Sequence, residues 1–118
     1  MSLPNALLRQ SSLTEAQFES LLSYYKVKSG QMRFREAAES RSKRPVTVGS
    51  YYRTVQQARS RIRESVITIL IAMETGLVRL EDIRRLLELV GKANTEVAEE
   101  DSERFSAILQ TLLDKIVM

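Results

Sequence analysis

The chain has 118 residues, 43% of them hydrophobic and 28% charged, with a net charge of only +3. That is the size and composition of one ordinary globular domain with its own core, which excludes wholesale disorder. Cysteine and histidine are both absent, which excludes disulfides and thiolate metal sites and removes the usual zinc ligands and the commonest general base.

The small net charge hides a strong asymmetry. Lys26 to Arg63 holds eleven Lys or Arg against Glu36 and Glu39, a balance of +9. Glu64 to Met118 holds six basic and eleven acidic residues, a balance of −5. A basic middle joined to an acidic end suits one oriented surface meeting a polyanion. The plainer alternative is a basic, solvated face with no partner.

Met1 to Gln10 has neither a basic start nor a long apolar run, so it reads as a flexible leader rather than a secretory signal. The most apolar run, Val66 to Met73, is far shorter than the ~20 residues of a bilayer span. A soluble, cytoplasmic protein without a membrane partner is expected.

The first helix is predicted to start after Leu13, with Thr14 as cap and Gln17 completing a capping box. Leu13, Phe18, Leu21, Leu22 and Tyr25 then form its apolar face, and Lys28 to Gln31 break it. A short second helix is predicted over 32–42, with Met32, Phe34, Ala37 and Ala38 inward. Pro45 disfavours helical geometry at Arg44, so the helix ends by then.

The third helix is predicted to be long. Thr47 is a good cap, and Tyr51, Val55, Ala58, Ile62, Val66, Ile69 and Met73 recur at three- and four-residue steps. Gly76 stands where a helix-ending glycine belongs. Before Glu64 one face is apolar. Beyond it Ile67, Leu70 and Ile71 add apolar groups on other sides, so that half must be covered by other helices or a second chain.

A fourth helix is predicted over 81–90, with Ile83, Leu86, Leu87 and Val90 inward and Gly91 closing it. Lys92 to Asp101 reads as an acidic linker or a frayed helix start. A fifth helix, 102–117, presents Phe105, Ile108, Leu109, Leu112, Leu113 and Ile116. No stretch alternates like a strand. The fold expected is all-α with five helices: a leader at 1–12, a helix-turn-helix part at 13–64, and a helical core or dimerisation part at 65–118.

Opposite the apolar stripe of the third helix lie Gly49, Arg53, Gln56, Gln57 and Ser60, with Ser50 beside them. Tyr52, Arg59 and Arg63 flank one side and Arg61 the other. From Val46 to Arg63 there is no carboxylate. Arginine can bond guanine's paired acceptors and glutamine adenine's donor and acceptor in the major groove. The helix N-terminus also favours phosphate. The alternative is that Gln and Ser merely tolerate solvent there.

These residues resemble the region-four domain of bacterial sigma factors. Thr47 with Gly49 two residues on, and the tail Ala58-Arg59-Ser60-Arg61-Ile62-Arg63-Glu64, are similar to that family's recognition helix. Leu13-Thr14-Glu15-Ala16-Gln17-Phe18 is similar to its opening helix, and Phe34-Arg35-Glu36-Ala37-Ala38-Glu39 to the helix before its turn. The resemblance implies that Ser50, Tyr52, Arg53 and Gln57 meet bases or nearby phosphates. It implies that Thr47 caps the helix and that Arg41, Lys43 and Arg44 contact phosphate. Two helices follow the motif, so a small prokaryotic or archaeal transcription regulator fits better than a stand-alone sigma factor.

The expected function is sequence-specific binding of double-stranded DNA in transcription regulation, with possible partners in the transcription machinery. The alternative is a non-specific nucleic-acid-binding or protein-interaction module using the same face. A homodimer is expected, with Ile67, Leu70, Ile71, Leu109 and Leu113 at its interface. The two recognition helices would then sit one DNA turn, about 34 Å, apart. No nucleophile and base pair is legible, so no enzyme activity is expected, nor any cofactor or metal. The acids Glu99, Glu100, Asp101 and Glu103 read as a solvated linker rather than a cation site, since they lack a loop glycine.

Overall fold

The computed structural model describes residues 7–41, 46–96 and 102–117. The fold is all-α, with α1 at Glu15–Lys28, α2 at Phe34–Glu39, α3 at Val48–Glu74, α4 at Leu80–Glu96 and α5 at Ser102–Ile116. The described residues contain no strand. The chain divides into two compact units, one of residues 12–64 and one of 65–118 joined by 1–11.

In the first unit, α1 begins as its sequence requires. Thr14 accepts the Gln17 backbone N–H at 3.1 Å, and the Gln17 side chain accepts the Thr14 N–H at 3.0 Å. That reciprocal pair satisfies two of the orphan donors of a helix start. Past Ser29, Gly30 takes φ +80, where a side chain would be strained.

The inward face of α1 is a correction. Leu21 packs inward as expected, but Leu22 and Tyr25 are exposed, and Gln17, Ser20, Tyr24 and Val27 turn inward instead. The cause is Tyr51, wholly buried in α3, whose hydroxyl must find partners and takes them from α1. The small, buried Ser20 leaves room for that ring.

The second helix is also shorter than expected: it runs Phe34–Glu39 rather than over 32–42. No side chain caps it at Arg33, and Ser40 ends it by bonding back to the Ala37 carbonyl at 3.2 Å. Ala37 and Ala38 are buried as expected, and with Tyr51 and Val55 they centre the core. Phe34 meets Tyr51 edge-on at 5.1 Å and Tyr24 at 6.2 Å. Aromatic pairs prefer such edge contacts.

The long third helix is present, and Gly76 follows its end at φ +81. Its apolar stripe is buried at Tyr51, Val55 and Ala58 only.

In the second unit, Phe105 and Leu109 form a core with Leu7, Leu86, Leu89, Val90 and Leu113. Leu109 and Leu113, expected at a dimer interface, are thus occupied within the chain itself. Leu7 belongs to that core too, and the Gln10 amide donates to the Ser106 carbonyl and hydroxyl, so residues 7–10 of the leader are docked.

Leu87 and Ile108 were expected inward but stand exposed, and Leu89 takes the place of Leu87. The fourth helix runs through Gly91 instead of ending there. A mid-helix glycine costs only ~1 kcal/mol relative to alanine, and no proline follows to stop the helix. Of the acids Glu99, Glu100, Asp101 and Glu103, the first three lie outside the described residues, as do Lys43 and Arg44.

Candidate nucleic-acid interface

The site is the outer face of the front half of α3. Thr47 starts it by accepting the Ser50 N–H at 3.1 Å, which satisfies one orphan donor of the first turn. The Thr54 hydroxyl then bonds the Ser50 carbonyl at 3.1 Å. Behind this face Tyr51, Val55 and Ala58 are wholly buried, so the helix is held from one side and presents the other.

Ser50, Tyr52, Arg53, Gln57, Arg59, Ser60, Arg61 and Arg63 are all exposed, and Gln56 is half-buried. Tyr52 is 50% exposed, its ring leaning on Phe34 at 6.1 Å. Each tyrosine pair therefore splits, with Tyr24 and Tyr51 packed and Tyr25 and Tyr52 outward. Arg41 is half-buried just beyond α2.

Arg53, Gln56, Gln57, Ser60, Arg61 and Glu64 line a shallow groove of about 550 Å³ together with Gln17. The structure thus brings together Arg53, Gln56 and Gln57 as expected. Thr47, Ser50 and Tyr52 stand nearer the helix start and do not line it. Sequence reasoning missed Gln17 as a groove residue: it lines the groove from α1 while its side-chain carbonyl oxygen accepts the Thr14 N–H. The capping-box pattern was the signal that could locate it. Glu64, the first carboxylate after the basic run, ends the groove.

Chemically, the groove offers guanidinium and amide donors on a helix that cannot shift inward. The groove lies open at the surface and is not an enclosed cavity. Among the described residues no three acidic side chains gather as a metal site requires. None of the described helices is long and apolar enough to cross a membrane. Burial raises the Tyr51 hydroxyl above its ordinary pKa, opposed by the Ser23 hydrogen bond and reinforced by Tyr24. That group serves the core, not the groove. Compared with protein-family models, curated proteins and solved structures, the chain finds no match.

Proposed function

We propose that this protein binds double-stranded DNA in a sequence-specific manner, with the front half of α3 in the major groove, and regulates transcription as a cytoplasmic homodimer. The observation that carries the reading is the outer face of α3. It is exposed from Arg53 to Arg63 apart from the residues that pack beneath it, and it holds four arginines and no carboxylate. A solvated helix face without a partner carries mixed charge, whereas this one concentrates donors of a single sign. Arg53 and Gln57 supply base-edge donors, and Arg59 and Arg61 supply phosphate contacts on the flanks. The resemblance to sigma region four, carried by Thr47, Gly49 and the tail from Ala58 to Glu64, supports the same docking. In this reading Lys43 and Arg44 add phosphate contacts before the helix.

The reading is tested by selection from random duplex DNA, with the enriched sequences assayed at two salt concentrations. A preferred, near-palindromic site is expected, with affinity falling as salt rises. Binding that is salt-dependent but equal for all duplexes would instead establish non-specific coating through the same face.

A further inference from the structure

We propose that two copies of this chain pair antiparallel through the rear half of α3, along a seam of Arg63, Ile67, Leu70 and Glu74. From Arg61 to Ile71 every residue of α3 is exposed. Ile67 is 50% exposed, Leu70 55% and Ile71 59%, and Ile62 and Val66 stand out similarly. At ~100° per residue the apolar side chains from Ile62 to Met73 sweep an arc of about 200°, with Leu70 near its middle. A helix with so wide an apolar arc is a buried helix, and the chain's own core lies elsewhere, around Phe105 and Leu109.

The second copy is selected by the order of charges along the seam. Arg63, Ile67, Leu70 and Glu74 follow one another at steps of four, three and four, the spacing of a coiled-coil seam. Read along the helix they run basic, apolar, apolar, acidic. An antiparallel copy sets each Arg63 against the other Glu74 and each Ile67 against the other Leu70. A parallel copy in register sets Arg63 on Arg63 and Glu74 on Glu74, with like charges at both ends. The seam is therefore self-complementary in one direction only, as a two-fold interface requires.

This arrangement has a consequence that rests on the DNA reading. Arg53 and Ser60 lie roughly 60° around α3 from the seam. The two-fold axis of an antiparallel pair stands across both helices and turns both outer faces to the same side. A parallel pair turns them to opposite sides. Gln56 stands about 19 Å along the helix from the midpoint between Ile67 and Leu70, at 1.5 Å per residue. The two copies of Gln56 then lie about 38 Å apart, close to the ~34–36 Å of one DNA turn.

The chain has no cysteine, so single cysteines report the pairing in the full-length protein without DNA. Leu70→Cys alone should be linked into a covalent dimer by a short bismaleimide. Arg63→Cys and Glu74→Cys should each fail alone, because like positions are about 16 Å apart along the axis. An equimolar mixture of those two variants should link. Self-linking of Arg63→Cys and Glu74→Cys separately would overturn the antiparallel direction, and no linking in any sample would overturn the interface. Sedimentation supplies a second readout. Arg63→Glu should weaken the dimer roughly ten-fold by setting like charges together at two symmetric points, and Arg63→Glu with Glu74→Arg should restore it. Restoration does not occur in a parallel pair, and its absence would refute the seam. Linking in the expected pattern with no sequence enriched from random DNA would remove the DNA reading and leave the pairing standing.

Discussion

The Tyr51 hydroxyl lies 2.6 Å from Ser23 Oγ and donates to the Ser20 carbonyl at 3.0 Å, so α3 is fastened by the tip of a buried ring to α1. The same ring stacks edge-on against Phe34. One side chain therefore joins all three helices of the first unit and fixes which face of α3 is left outward.

Tyr51→Phe keeps the ring and removes the anchor. Stability should fall by about 1–2 kcal/mol, because the Ser20 carbonyl and the Ser23 hydroxyl lose a partner in a dry site. Chemical denaturation measures it. The fall should exceed that of Tyr52→Phe, since Tyr52 is half-exposed.

Alkaline pH should act through the same group. Burial raises the Tyr51 pKa in the folded protein, so the unfolded chain releases this proton first. The stability that Tyr51 contributes is then complete below about pH 10, the unfolded value. It is lost as pH rises through the raised folded value. Melting temperature followed from pH 8 to pH 11 should decline more steeply for the wild type than for Tyr51→Phe. Equal slopes would remove Tyr51 as the titrating group.

Two glycines should respond in opposite directions to alanine. Gly91 lies inside α4 without a positive φ, and an added Cβ would meet nothing within 4 Å. Gly91→Ala should stabilise by about 0.5–1 kcal/mol. Gly76 sits at φ +81, and Gly76→Ala should destabilise by about 1 kcal/mol or more. Paired urea titrations decide both signs.

Arginines on the outer face of α3 should divide by role. Arg53→Ala should cost about 1–3 kcal/mol on the selected duplex and relax the preference at one base pair. Arg59→Ala should weaken binding to every duplex alike and lower the salt slope by about 1. An Arg53→Ala protein that keeps full affinity and preference for the selected site would end the assignment of that face to base reading.

Some of this protein is decided locally and is therefore legible along the chain. Thr14 and Gln17 cap a helix through atoms three residues apart, and Thr47 does the same for α3. The step of three and four that runs through Tyr51, Val55 and Ala58 identifies an inward stripe, because helical geometry alone aligns those side chains. Hence the all-α fold, the start of α3 and its basic outer face could all be read from residue order.

What needed the tertiary structure was every choice that depends on a distant partner. Leu22 and Tyr25 have the hydrophobicity to face inward. Ser20 and Tyr24 do so because the Tyr51 hydroxyl has to be satisfied, and no periodicity in α1 records that demand. Gly91 could end a helix or be carried by one, and its neighbours do not decide between them. Leu109 and Ile67 look equally apolar in sequence. Only packing separates them: Leu109 closes the core around Phe105, while Ile67 stays half-exposed on α3. Burial belongs to pairs of surfaces, and a single helix pattern specifies only one member of the pair.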